Sequence, residues 1–205
     1  MPRVLAEMLR YIQPEQLKAI VLSHQDPDIV GGIGTWLELA ESKVYAANTW
    51  MRFLPHYGQI DIGRFVGIPD TGAIIHPGKD FTLELLPAHF LHSPGQINTY
   101  DPIANILFSG DIGAAMLPPE VDTPFVDDFD AHIPFIEGFH RRYMASNKAL
   151  RIWVAMVERL GVDIIAPQHG PVYRGQAVPD FLAWLKELQC GIDLMGSDGS
   201  FGHDQ

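Results

Sequence analysis

Apolar residues near the start recur at Val4, Leu5, Met8, Leu9 and Ile12, a helical spacing that predicts an amphipathic helix over residues 3–12. The next apolar run has no such period. KAIVL (18–22) is short, continuous and bounded by polar residues, which predicts a buried strand. A polar loop follows, then glycines at Gly31, Gly32 and Gly34 opening a helical stretch, GTWLELAE, and a second apolar strand, KVYAA (43–47). That strand–loop–helix–strand rhythm belongs to an α/β layer. Residues 48–57 carry no clear period. From Gly58 to Phe108 strand signals dominate, in GRFVGI, KDFTLELLPA and NTYDPIANILFSG, separated by Gly, Pro and Asp turns. An acidic loop, DIGAAMLPPEVDTPFVDDFD, precedes a helical pattern from Ile133 to Leu160 that Gly161 closes as a C-terminal cap. VDIIAP (162–167) reads as a strand, QHGPVYRG as a loop, and 179–190 as a last helix. The pattern predicts one domain over residues 1–192 and a flexible tail over 193–205, since GSDGSFGHDQ lacks any apolar period.

Composition narrows the class. With 205 residues, 47% of them hydrophobic and 19% charged, the chain can bury a sizeable core. Its net charge of −11 argues against nucleic acid and anionic membranes as partners, because both require basic patches. No apolar run approaches the roughly 18 residues of a membrane span. MPRVLAEMLRYI has no signal-peptide core. Cys190 stands alone, which excludes an internal disulfide and a cysteine-based zinc site and predicts a cytoplasmic location.

Candidate chemistry lies in the loops. Four apolar strands each run into a segment carrying His or Asp: IVLSHQDPD (20–28), LLPAHFLHSPG (85–95), NILFSGD (105–111) and DIIAPQHGP (163–171). Strand ends pointing the same way gather their loops at one sheet edge. Pooled, they offer His24, Asp26, Asp28, His89, His92, Asp111 and His169, a nitrogen and oxygen set without sulfur that suits iron, zinc or manganese. Six donors or more exceed one tetrahedral zinc and fit two metals sharing a carboxylate. Each loop alone has a plainer reading. SHQDPD makes a turn capped by Asp, SGD a helix cap, and HGP a turn whose His bonds a backbone group. Repetition of one pattern at four strand ends favours the metal reading.

These residues resemble the metallo-β-lactamase fold superfamily over nearly the whole chain. There a His-x-His-x-Asp-His loop opens the site, followed by a His, an Asp and a last His. Here the loop is HQDPDI, with Asp26 at the second His and Ile29 at the last. HQDPD, HSP, LFSGD and APQHGP are similar to the flavodiiron branch, and HFLHSPG resembles its stand-alone oxygen-binding diiron members. The resemblance implies an α/β fold, an αββα sandwich, lacking its usual N-terminal strands, because this chain begins at the helix that precedes the first metal loop. A bare sheet face would then imply a homodimer or a compromised fold. It also implies two iron ions. The first would take His24, Asp26 and His92, the second Asp28 and His169, and Asp111 would bridge them. Asp26 stands where flavodiiron proteins have Glu, which leaves its denticity open. His89 either hydrogen-bonds a bound oxygen species or ligand from outside the metal ligands, adds to one iron, or faces solvent.

From this follow two functional expectations. The first is a diiron protein that binds dioxygen or nitric oxide, sensing, storing or reducing it, with no flavin in the chain and electrons or signal passing through a separate protein. The second is a dinuclear zinc hydrolase of esters, thioesters, lactones or lactams, in which a metal lowers the pKa of a bridging water. Ile29 and Asp26 weigh against the second. Tyr143, beside Arg141 and Arg142, either packs on a helix with its arginines in water or approaches the metal pocket. Trp36, Trp50, Trp153 and Trp184 read as core or interface aromatics. His56, His76, His132, His140 and His203 lack the strand-end setting and read as structural or solvated.

Overall fold

The computed structural model describes residues 2–58 and 60–202. Helix α1 (Pro2–Met8) begins one residue ahead of the predicted 3–12 stretch and ends within it, and hydrogen bonds from Leu9 to Leu5 and from Ile12 to Met8 extend its last turn. Its apolar face is only partly covered, with Val4 and Leu9 exposed. Strand β1 (Ala19–Val21) then leads into two short helices, α2 (Pro27–Val30) and α3 (Ile33–Leu39), and into β2 (Lys43–Ala47). Asp28 therefore sits in a helical turn rather than an open loop, because Pro27 presets φ at the first helical position. Residues 48–57, which carried no period, form two 3₁₀ turns, Asn48–Trp50 and Leu54–Tyr57. After them comes β3 (Phe65–Ile68). The three strands form a parallel sheet in the order β1-β2-β3.

The second sheet has six strands, in the order β4 (Ala73–Gly78), β5 (Phe81–Pro87), β6 (Ile97–Asp101), β7 (Ile106–Gly110), β8 (Ile164–Pro167) and β9 (Tyr173–Arg174). All neighbours are antiparallel except β7 and β8. Between β7 and β8 the chain makes helices α4 (Phe129–Tyr143) and α5 (Asn147–Leu160), and α6 (Ala177–Glu187) follows β9. The long helix expected over 133–160 is thus two helices. Met144 is extended at ψ 138, is fully buried and bridges to Leu91, and Ser146 caps α5 by accepting from the Ala149 amide. The helical apolar period runs through the break, so the cap is what marks it. The last helix begins at Ala177, ahead of the predicted 179. Past α6, residues 191–194 form a 3₁₀ turn and Met195 bridges to Phe201.

Three apolar clusters define the layers. Tyr45 and Ala47 of β2 meet Ile75, Leu85 and Ile97 between the sheets. The alternate residues Val44 and Ala46 pack with Val30, Ile33 and Leu54 under the short helices. The largest cluster joins Leu107 and Ile165 to Ile136, Leu150, Trp153, Val154, Phe181 and Leu185 of α4, α5 and α6. Period-two alternation in the strands and 3.6-residue spacing in the helices thus feed one helix–sheet–sheet–helix stack, the predicted sandwich. Among the described residues no helix is long and apolar enough to cross a membrane.

Candidate metal centre

Backbone bonds fix the four chemistry-bearing segments to one another. Ile97 donates to the Ser23 carbonyl at 2.8 Å, joining the end of β1 to the start of β6, and Gln168 donates to the Gly110 carbonyl at 2.8 Å, joining the ends of β7 and β8. Gly110 must turn at φ 60 with Ser23 only 3.2 Å from where a Cβ would sit, so this approach favours glycine. In the HFLHSPG segment Phe90 and His92 are both left-handed, at φ 64 and 71. That geometry points Leu91 into the core, leaves Phe90 exposed, and turns His92 towards the end of β1. Non-glycine residues hold such conformations only where their surroundings impose them.

Six of the seven pooled residues meet. Asp26 Oδ2 lies 2.9 Å from His92 Nε2 and 3.7 Å from His24 Nε2. His169 Nε2 lies 3.0 Å from Asp28 Oδ2. Asp111 stands between the two groups. Its Oδ2 is 3.7 Å from His24 Nε2 and 3.5 Å from His92 Nε2, while its Oδ1 is 3.8 Å from His169 Nε2. One carboxylate therefore turns an oxygen to each side. Donor atoms of His24, His92 and Asp111, and separately of His24, Asp26 and Asp28, fall within 4.8 Å of one another. Of the two halves, the first is sheltered and the second open: the His24 side chain is 0% exposed, against 50% for Asp28 and 48% for His169.

The donor chemistry fits a cation. Among the described residues His24 Nε2 and Asp111 Oδ1 are buried without a hydrogen-bond partner, an expensive arrangement that a positive ion would relieve. Ser23 Oγ lies 3.0 Å from His24 Nδ1 and donates to Gln168 Oε1 at 3.4 Å. Its lone pair therefore accepts the Nδ1 proton, leaving the Nε2 lone pair facing the carboxylates. Burial lowers the His24 pKa, with Asp111 and Asp26 pulling the other way, so the neutral, ligating form is favoured. Three imidazoles and three carboxylates suit a hard or borderline metal and leave negative charge for it to offset.

His89 is placed elsewhere. Its Nε2 lies 2.8 Å from the Asp70 carbonyl and its Nδ1 3.1 Å from the Pro94 carbonyl, so both nitrogens face backbone oxygens away from the cluster. The turn that brings His92 in carries His89 out. Ile29, the residue without a donor, packs in the apolar cluster with Leu22, Val30 and Ile33. Tyr143 takes the pocket-facing alternative. With Phe139, one helical turn earlier, it borders a cavity of about 520 Å³ together with Met116, Asp26, Asp28 and His169. The Phe139 and Tyr143 rings lie 5.7 and 5.6 Å from the His92 ring. Phe139 and Met116 were not foreseen; the i, i+4 spacing from Phe139 to Tyr143 was the signal available. His132 and His140 are buried in α4, and His140 accepts from the Gly113 amide at 2.9 Å, two residues after Asp111. His203 lies outside the described residues.

A two-sheet α/β sandwich with a two-sided His and Asp cluster at its strand ends defines a metallo-β-lactamase-like protein. The model of the ODP family beta lactamases matches residues 1–170, and the chain belongs to that family. Two structures of the chemotaxis sensor ODP superpose with a TM-score of 0.88 at 47% identity over 94% of this chain; one is described as a peroxy diiron species, the other as the apo state from T. denticola. The chain covers 80% and 78% of those chains. Rubredoxin oxygen:oxidoreductase from Desulfovibrio gigas shares the fold, with a TM-score of 0.78 at 16% identity over 89% of this chain and 46% of its own. Diflavin flavoprotein A 1 of Synechocystis sp. is 28% identical over 80% of this chain, which spans 28% of that relative's length.

Proposed function

We propose that the chain holds two iron ions, one on each side of Asp111, and binds dioxygen there as a sensor or store, with nitric oxide as a second ligand. The observation that carries this reading is the division of Asp111, Oδ2 towards His24 and His92 and Oδ1 towards His169. His24, Asp26 and His92 would hold the first iron, Asp28 and His169 the second. The relative described as a peroxy diiron species, at 47% identity, supports iron over zinc. Ferrous iron, when bound, supplies the electrons that dioxygen binding draws on.

The chain's own residues do the rest. His24 and Asp111, both buried, present fixed donors that need no reorganisation. Phe139, Met116 and Ala114 give the cavity an apolar wall suited to a small diatomic molecule, and Asp28 and His169 leave the second half open to entry. Repeated reduction would need electrons from a separate protein. Sensing would need a protein that reads the bound state.

Anaerobic loading with ferrous iron, followed by exposure to air, tests this. Two irons per chain and a visible absorption that grows with oxygen are expected. Fewer than two irons per chain, or an absorption that does not change with oxygen, would refute it.

A further inference from the structure

We propose that Gln25 is a positioning residue, confining Asp26 to ligation through one oxygen and tying it to the segment that carries His92. This rests on the two-metal reading. Gln25 contributes no ligand, yet it is held from three sides. Its Nε2 donates to Asp26 Oδ1 at 2.8 Å, its Oε1 accepts from the Ser93 hydroxyl at 2.7 Å, and its carbonyl accepts from the Tyr57 hydroxyl. The sense of the network is fixed by chemistry. A carboxylate only accepts, so the amide NH₂ must face Asp26, and Oε1 is then left to accept from Ser93.

Two consequences follow. Asp26 Oδ1 is engaged by the amide, so Oδ2, which faces His92 Nε2 at 2.9 Å and His24 Nε2 at 3.7 Å, is the oxygen presented to a metal. A short carboxylate free to rotate would reach the same ion with both oxygens; Gln25 removes that freedom. Ser93, 2% exposed, adjoins His92. Two donors to the same ion, 66 residues apart in sequence, are thereby joined by Gln25 and Ser93. Partners of this kind, one contact removed from the metal, change affinity by about 10- to 100-fold.

The test uses full-length wild type, Gln25→Met and Ser93→Ala loaded with ⁵⁷Fe. Mössbauer doublets and the rate of iron release to a chelator are read for each iron, and His169→Ala assigns the doublets. Gln25→Met keeps the length and loses the donor. It is expected to shift the doublet of the first iron and speed its release about tenfold, leaving the second iron and the melting temperature of the metal-free protein unchanged. Ser93→Ala is expected to shift the same doublet by less. The positioning role is overturned if Gln25→Met leaves both doublets and both rates as in wild type. It is equally overturned if both irons change together with the metal-free melting temperature, which would mark a purely structural role. A wild type that takes up fewer than two irons overturns the two-metal reading itself, and this role with it.

Discussion

Replacing His140 with glutamine tests how α4 is tied to the loop that presents Asp111. The imidazole is fully buried, donates from Nδ1 to the Ile136 carbonyl at 2.8 Å, and accepts at Nε2 from the Gly113 amide. A ring nitrogen that accepts carries no proton, so this geometry needs the neutral ring. Burial pushes the pKa from 6.5 down to about 4, opposed in part by the bond to Ile136. The unfolded chain takes up a proton near pH 6.5 that the folded chain refuses. Stability from the neutral ring is therefore complete above that pH and falls as pH drops towards 4. A gap of about two and a half pH units corresponds to about 3 kcal/mol. The assay is urea unfolding of metal-free wild type and His140→Gln at steps between pH 7.5 and 4. Groups common to both proteins cancel in the difference, apart from His132, whose charge adds to the lowering at His140 and so enters the difference with it. At pH 7.5 the variant should be less stable by about 2 kcal/mol, through lost packing and a Gly113 amide left poorly paired. On acidification the gap should close, because the variant has no such proton to refuse. Stability curves that stay parallel down to pH 4 would refute the reasoning.

Other predictions rest on different contacts. Asp111→Ala should lower metal content at both positions, whereas His169→Ala should lose mainly one ion, as plasma emission spectrometry would show. Chelation of the loaded protein should proceed in two phases, the ion near Asp28 and His169 leaving first because those side chains are half exposed while His24 is not; a single phase would contradict the asymmetry. Trp153→Phe removes the bond from Nε1 to Asn98 Oδ1 at 2.6 Å and leaves a buried amide whose Nδ2 already lacks a partner among the described residues. It should cost about 1–3 kcal/mol in urea unfolding while metal content holds.

The cluster was legible in the sequence to the extent that strand geometry controls it. IVL, LLP, ILF and IIAP are apolar runs that end on one side of the sandwich, IVL in the three-stranded sheet and the others in the six-stranded sheet rather than all at one sheet edge, and of the residues just past them His24, Asp26, Asp28, His92, Asp111 and His169 meet. His89 follows the same kind of run and is absent from the group, because two left-handed residues decide which of the two histidines turns inward, and backbone torsions leave no mark in composition. The break at Met144 was masked for a related reason. Its side chain is apolar and buried whether the segment is helical or extended, and Ser146 gives only a brief capping signal. Strand β4, AIIHPG, was not singled out among the strand signals of 58–108, since its burial pattern mixes exposed and half-buried positions around a bulge. Gln25 could not be read at all, as a neutral amide between two ligands gains its meaning only from Ser93, far along the chain.

The account stands or falls on two metals sharing Asp111. Diffraction from crystals of the iron-loaded protein, collected on both sides of the iron absorption edge, reads this directly. It predicts two anomalous peaks flanking Asp111, one beside His24, Asp26 and His92 and one beside Asp28 and His169. A single peak, or peaks away from Asp111, would contradict it.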